Sequence, residues 1–287
     1  MEEHLRSAPC RQRDFSSAWY TRWVRRIASG APALAPDRKA VWGPVWEGMR
    51  GKGLHRKLWE WCAIAQALAE RGYLAPGRLG LGFAVGTEPL ASLFAASGAQ
   101  VLATDLDSEA DEAGWGKSGQ HACGLGAIHW PGLLPIDEFR DRVTYQGIDM
   151  RELAILPSRN FDFLWSSCAF EHLGSLEDGL DFVRSATELL KPGGIAVHTT
   201  EYNVSSNNLT VERGDNVIYR RRDIEELDRS LRSVACGIEC LEFDPGTDQH
   251  DLAFDFPPYY HNGREHLKIQ LLGHVSTSFL LIIRKAA

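Results

Sequence analysis

Long apolar runs are missing from this sequence. No stretch reaches the roughly 18 residues that a membrane-spanning helix needs, so no membrane partner is expected. A basic surplus is missing too: 38 acidic residues exceed 31 basic ones, and the formal net charge is -7. Proteins that bind a phosphate backbone carry clustered positive charge, so we expect no nucleic-acid partner. The opening residues MEEHLRSAPCRQRDF are charged and argue against a secretory signal.

Paired cysteines are also absent. The six cysteines are scattered, and none forms a Cys-x-x-Cys motif. Cys236 and Cys240 lie four residues apart, but a structural zinc site needs more ligands than these two. The pattern therefore predicts a cytoplasmic protein with free thiols and no zinc site.

The first quarter of the chain is predicted to be helical. The segments SAWYTRWVRRIASG and HRKLWEWCAIAQALAE have apolar residues at helical spacing, so we assign residues 1–76 to a helical N-terminal extension or cap. The tryptophans at positions 42, 46, 59 and 61 indicate packing of this cap against the main domain. A substrate lid is the alternative interpretation.

Residues 77–287 alternate between strand-like and helix-like segments, which predicts an α/β domain. The strand-like segments are LGLGF, QVLATDLD, RVTYQGIDM, FDFLWSSCAF, IAVHTTEYN, GIECLEFD and VSTSFLLIIRK. Helices between strands imply right-handed crossovers, and hence a doubly wound, seven-stranded, mostly parallel sheet. Two insertions, near 113–135 and 245–274, interrupt the pattern.

A glycine-rich turn follows the first strand. Gly80, Gly82 and Gly86 precede an apolar helix, and Asp105 ends the next strand. Bare backbone at a helix start lets a ligand approach closely, and an acid at the neighbouring strand end can accept hydrogen bonds from ribose hydroxyls. The spacing therefore predicts a site for an adenosine-containing ligand. A tight turn with a solvated acid is the structural alternative.

Two ligand classes suit this arrangement, dinucleotides and S-adenosylmethionine. Glu88 lies where a pyrophosphate would sit, and its negative charge would repel a dinucleotide. A carboxylate is better matched to the ammonium group of a methionine moiety, so Glu88 favours S-adenosylmethionine.

From Arg78 to Lys285 the chain resembles the class I S-adenosylmethionine-dependent methyltransferases. The resemblance rests on GLGFAVG with TDLD, then GIDM, FDFLWSSCAFEHL and LLKPGGIAVHTTEYN. It implies a Rossmann-like sheet with a reversed last strand, S-adenosylmethionine as the cofactor and S-adenosylhomocysteine as the product. The loop differs from the common pattern in having Gly80 and Ala84 where the family has an acid and a glycine.

The resemblance also implies cofactor-binding residues at the strand ends. The glycine loop would contact the methionine part, Asp105 the ribose, Asp149 and Met150 the adenine edge, and two serines the sulfonium. The resulting set is Gly80, Gly82, Gly86, Glu88, Asp105, Leu106, Asp149, Met150, Ser166 and Ser167.

Methyl transfer to a hydroxyl benefits from a base, and histidine suits that role near neutral pH. His172 follows the fourth strand and His198 is predicted to end the fifth, so both are candidates, with Glu201 as a third catalytic residue. Helix capping for His172 and a satisfied strand-end position for His198 are the structural alternatives. The CAFEHL string resembles the Glu-His pair of ubiquinone-type O-methyltransferases, which can take magnesium, but Cys168 replaces the motif's first glutamate, so we expect no metal.

The sequence thus predicts O-methylation of a small polar metabolite or a glycan hydroxyl. N-methylation, a nicotinamide-dependent oxidoreductase and a non-catalytic cofactor-binding subunit are the alternatives. Neither the acceptor nor the oligomeric state can be read from the residues.

Overall fold

A computed structural model describes residues 4–34, 36–106, 121–156 and 160–287. Its helices are α1 (Ala18–Gly30), α2 (Pro36–Val41), α3 (Gly43–Met49), α4 (Arg56–Glu70), α5 (Leu90–Ala96), α6 (Ile136–Arg142), α7 (Leu176–Thr187) and α8 (Arg221–Leu231). Its strands are β1 (Leu79–Gly82), β2 (Gln100–Asp105), β3 (Val143–Gly147), β4 (Phe161–Ser167), β5 (Gly174–Ser175), β6 (Leu190–Asn203), β7 (Arg213–Gly214), β8 (Cys236–Ile238), β9 (Ile269–Leu271) and β10 (His274–Lys285). Within the described residues, no helix is long and apolar enough to cross a membrane.

The main sheet has the order β3-β2-β1-β4-β6-β10-β8, with β9 added beside β10. Strands β3, β2, β1, β4 and β6 run parallel, and β10 runs antiparallel to β6. Strands β2 and β3 are added on one side of β1, and the later strands are added on the other side, starting with β4. The topology therefore switches between β1 and β4, and the carboxyl ends of these two strands flank the crevice where ligands bind in open α/β sheets. The predicted doubly wound sheet with one reversed strand is confirmed.

Helices cover the sheet on both faces, in keeping with strands whose residues are buried on both sides, such as the wholly buried β4. On one face, α4 and α5 pack on the side chains of Phe163, Trp165, Val197 and Ile282. On the opposite face, α7 and α8 pack on Leu164, Ala196, Leu281 and their neighbours. Helix α1 lies outside α4, and Trp42, Trp59 and Trp61 are buried beneath the N-terminal helices. The packing interpretation of the tryptophans is therefore the one that the structure supports.

Two features of the strands differ from the sequence expectation. Strand β6 ends at Asn203, where Ser276 of β10 pairs with it, so His198 lies inside the strand and not at its end as predicted. Strand β8 is only three residues long, since its later residues leave the ladder with β10. Helix α6 and strand β9 were not predicted, and the expected insertion near 113–135 falls partly outside the described residues.

Glycines in β1 make room for aromatic rings of β4. A Cβ at Gly82 would lie 2.2 Å from the Trp165 ring, and one at Gly80 would lie 2.1 Å from the Phe163 ring.

Gly82→Ala is expected to reduce the free energy of unfolding by about 1–3 kcal/mol, because the ring must move within a close-packed core. Urea denaturation measures this. Gly126→Ala is the control, since no atom lies within 4 Å of its Cβ position. Equal stability of the two variants would contradict the packing account.

Candidate functional site

The loop after β1 is tied to the end of β2. Ala84 and Gly86 both have positive φ, 45° and 53°, so the chain turns sharply before α5. The Gly86 N–H donates to Oδ2 of Asp105 at 2.9 Å. The glycine turn and the strand-end acid are therefore neighbours, joined by a direct hydrogen bond, and their contact with an adenosine-containing ligand stays a prediction.

Asp105 accepts hydrogen bonds from further backbone groups. Its Oδ2 also accepts from the N–H of Ala122 at 3.1 Å, and its Oδ1 accepts from that of Leu106 at 2.9 Å. The His121 ring lies beside the carboxylate, 3.7 Å from Oδ1. Burial raises the pKa of Asp105, and these donors and His121 oppose that shift. Residues 121–122 thus cover the side of Asp105 on which a ribose is predicted to bind.

A lysine from helix α4 reaches the same sheet edge. The Nζ of Lys57 lies 2.7 Å from Glu60, 3.5 Å from Glu88 and 3.3 Å from both oxygens of Ser167. Burial raises the pKa of Glu88 to about 7. Burial also acts to raise that of Glu60, but Lys57 and Arg56 hold its pKa below the usual value. Lys57 and Glu88 therefore present opposite charges beside the glycine loop and the end of β4.

Arg56 forms an ion pair with Glu201, the carboxylate that was predicted to be catalytic. Its guanidinium binds both oxygens of Glu201, with one contact of 2.7 Å, and the hydroxyl of Ser276 donates to Glu201 Oε2 at 2.5 Å. Glu201 is 3% exposed. In this arrangement Glu201 is a buried ion-pair partner, which disfavours a direct role as a base.

Another carboxyl lies next to Glu201. Ligand atoms of Cys168, Glu171 and Glu201 all lie within 4.8 Å of one another. Glu171 is fully buried; its Oε2 accepts from Thr200 at 3.1 Å, and its Oε1 has no hydrogen-bond partner among the described residues. Burial and the nearby charge of Glu201 raise the pKa of Glu171 to about 8. At neutral pH this side chain is a carboxylic acid.

The two candidate histidines occupy different environments. His172 Nδ1 donates to the carbonyl of Asp215 at 2.7 Å, which leaves the lone pair on Nε2. Burial lowers its pKa, so the ring is neutral at pH 7. His198 is fully buried between Phe170 and Phe182, bonds Ser166 Oγ at 2.8 Å, and has its pKa lowered by burial to about 3. Of the two histidines, His172 is partly exposed, whereas His198 is fully buried.

The remaining predicted residues lie in several different environments. Ser166 faces His198 on the α7 side of the sheet, whereas Ser167 Oγ bonds Glu60 at 3.2 Å on the α4 side.

Asp149, predicted to border the adenine, forms an ion pair with Arg151, and the hydrogen bonds from Arg151 hold the pKa of Asp149 below its usual value. Met150 lines a cleft of about 440 Å³ along α7, which none of the charged residues of α4 lines. Gly80 and Gly82 lie within β1, and the rings packed against them account for both glycines.

The insertion 245–274 contacts the start of α4. The His55 and Tyr260 rings stack at 5.8 Å, and the Arg56 N–H donates to the carbonyl of His266 at 2.9 Å. His266 in turn bonds Asp255 at 2.8 Å. This insertion therefore packs beside Arg56.

The charged first turn of α4 was not predicted from the sequence. Arg56, Lys57 and Glu60 precede β1 by some twenty residues, and no motif connects them to the glycine loop. The available signal was two basic residues followed by an acid at the start of an otherwise apolar helix. Such a pattern most often indicates a solvated helix end, so it carries little information before the fold is known.

Residues 79–198 match the sequence family described as a methyltransferase domain. No curated protein matches the chain in sequence. Many solved structures share the fold. One is magnesium protoporphyrin IX methyltransferase from Synechocystis PCC 6803 with bound S-adenosylhomocysteine: TM-score 0.50, 12% identity, 96% of this chain and 98% of that chain covered. Another is the cyclase SpnF: TM-score 0.52, 16% identity, 88% and 94% covered. At these identities the structural likeness shows the fold alone.

The protonation of Glu171 predicts a pH-dependent stability. Its folded-state pKa of about 8 exceeds the usual value of about 4.3, so the folded protein retains a proton that the unfolded chain has lost. The stabilisation is complete below the unfolded-state pKa and is lost as the pH rises to about 8. Glutamine does not titrate, so the stability of Glu171→Gln relative to wild type should increase between about pH 5 and 9. Thermal unfolding of both proteins measures this.

Lys57, Glu60 and Glu201 also face Glu171, but they are common to both proteins, so the difference between the two curves isolates position 171. Curves that stay parallel across this range would show that Glu171 is ionised in the folded protein.

Proposed function

We propose, from the premise that residues 79–198 form a methyltransferase domain of the class I S-adenosylmethionine-dependent superfamily, that this enzyme methylates a hydroxyl of a small polar metabolite or glycan. The methyltransferase activity follows from the family, whereas the acceptor and the residue roles are proposals. The observation that carries them is the pair of opposite charges, Lys57 and Glu88, beside the glycine loop.

The charges of this pair fit the amino-acid end of S-adenosylmethionine. The Lys57 ammonium would hold the cofactor's carboxylate, and Glu88, whose pKa lies near 7, would hold its ammonium. A dinucleotide offers no positive group to Glu88, so the same pair disfavours a nicotinamide cofactor. Ser167 lies against Lys57 at the end of β4, in keeping with its predicted place beside the sulfonium.

The position of Asp105 supports its assignment as the ribose ligand, provided that one of its present hydrogen bonds is exchanged for a ribose hydroxyl. Its carboxylate spans the ends of β1 and β2, but the Ala122 N–H occupies one of its oxygens. A ribose hydroxyl would replace that N–H, so cofactor binding is expected to move residues 121–122 away from Asp105.

S-adenosylmethionine supplies a methyl group that its sulfonium has already activated. The protein therefore has to align the acceptor, exclude water and accept the proton of the hydroxyl. His172 suits the last task, because the Asp215 carbonyl fixes the tautomer with its lone pair on Nε2 and the ring is neutral at pH 7. His198 is enclosed by Phe170 and Phe182, so we propose that it positions Ser166 and does not act as the base.

Calorimetric titration tests the cofactor site. S-adenosylmethionine and S-adenosylhomocysteine are expected to bind, whereas NAD is not. Asp105→Asn and Glu88→Gln should each weaken binding by about tenfold or more, since each removes a charge-assisted hydrogen bond of about 1.5–3 kcal/mol. Exposed Asp137→Asn and Glu152→Gln are the matched controls. Binding of NAD alone would overturn the cofactor assignment.

Product formation tests the two histidines. His172→Asn should reduce kcat for S-adenosylhomocysteine formation by about 10²–10⁴-fold while leaving cofactor affinity unchanged, because a general base acts only on the acceptor. His198→Asn, which can still bond Ser166, should have a much smaller effect on kcat. Unchanged turnover in His172→Asn, or a larger loss in His198→Asn, would reverse this assignment. Polar hydroxyl compounds are the acceptors to screen.

A further inference from the structure

We propose that the acceptor carries an ammonium group as well as the hydroxyl, and that the carboxyl of Glu171 binds it. The enzyme would then act on an amino alcohol, a class that includes amino sugars. This inference rests on the proposed function, because it places the ammonium subsite beside His172.

Two buried side-chain oxygens on adjoining segments have no hydrogen-bond partner among the described residues, Glu171 Oε1 and Asn216 Oδ1. The segments adjoin because the Val217 N–H donates to the Glu171 carbonyl at 3.0 Å. Buried polar groups in native proteins are normally paired, so the unpaired oxygen of Glu171 is in keeping with a ligand that donates a hydrogen bond to it.

Glu171 lacks a cation of its own. Arg56 pairs with Glu201, and Lys57 is shared between Glu60 at 2.7 Å and Glu88 at 3.5 Å. Glu171 is the carboxyl of this cluster that forms no ion pair among the described residues. One positive charge from the acceptor would balance Glu171.

The free protein balances Glu171 with a proton instead. Burial, followed by the charge of Glu201, raises its pKa to about 8, so the acid form predominates at pH 7. When an ammonium group binds, the carboxyl releases this proton to solvent and the carboxylate accepts hydrogen bonds from the ammonium. Binding should therefore release a proton, which a purely structural carboxyl would not do.

Two other cations fit the site less well. A sulfonium has no N–H and cannot satisfy the Glu171 oxygen by a hydrogen bond. A metal ion bound by Cys168, Glu171 and Glu201 would have to displace Arg56 and Ser276 from Glu201. Burial also raises the pKa of the Cys168 thiol well above its usual value, so the thiolate that a metal requires is disfavoured.

The test compares serinol (2-amino-1,3-propanediol) with glycerol, which differ only in an ammonium group against a hydroxyl. Ligand-observed NMR titrations at pH 7 and constant ionic strength would use the protein saturated with S-adenosylhomocysteine. Serinol should bind about tenfold more tightly than glycerol, and Glu171→Gln should abolish the difference. Glu177→Gln, at an exposed carboxyl on α7, should preserve it.

Calorimetry in two buffers of different ionisation enthalpy adds a second readout. Wild type should release up to one proton per serinol bound, and Glu171→Gln should release none. Glutamine is a neutral isostere of the protonated acid, so this variant should fold, and thermal unfolding at pH 7 checks that it does.

Equal binding of serinol and glycerol to wild type, or unchanged serinol binding in Glu171→Gln, would overturn the proposal. A loss in Glu171→Gln of the preference for S-adenosylmethionine over S-adenosylhomocysteine, with no serinol effect, would show that Glu171 balances the sulfonium. Tight binding of Zn²⁺ that depends on Cys168 and Glu171, without a serinol preference, would identify a metal site instead.

These outcomes are separable from failure of the proposed function. If S-adenosylhomocysteine does not bind, the cofactor assignment fails, and the serinol comparison is carried out on the free protein as an independent measurement of the Glu171 subsite.

Discussion

The buried carboxylate of Glu60 holds the site together. It accepts hydrogen bonds from Ser167 on β4 and Ser278 on β10 while pairing with Lys57 on its own helix. Helix α4 is thereby fixed across strands that lie far apart in the chain. Removing one partner would leave a buried charge uncompensated, which costs about 3–5 kcal/mol in comparable cases. This constraint places Arg56 and Lys57 at the edge of the sheet.

With α4 fixed, the site acquires an uneven distribution of charge. Glu201 pairs with Arg56, and Glu60 and Glu88 share Lys57, whereas Glu171 depends on a proton or a ligand for neutralisation. Buried groups whose pKa values lie near neutrality cluster at functional sites, because a small change in surroundings changes their charge. The fold does not require this arrangement, and similar sheets support different reactions, so the chemistry lies in the side chains at the edge.

Much of the fold was predictable, because apolar periodicity and turn residues report local structure directly. The strand-helix alternation after Arg78 predicted the sheet, and the glycine turn and Asp105 were predicted to border one crevice, although their direct hydrogen bond was not predicted. The roles of other positions could be predicted only in part from the sequence. Gly80 and Gly82 were interpreted as ligand contacts, but the structure shows rings of β4 against them, and a glycine in sequence does not reveal which neighbour needs the space.

The sequence by itself determined the class of fold, the position of the glycine turn and the acid that faces it, because each depends on residues close together in the chain. The tertiary structure alone decided which charges meet. Arg56 and Glu201 are separated by more than half the chain, and nothing local indicates that they pair. The different burial of His172 and His198 was likewise decided by the tertiary structure, because it depends on the packing of α7 and on the pairing of β6 with β10.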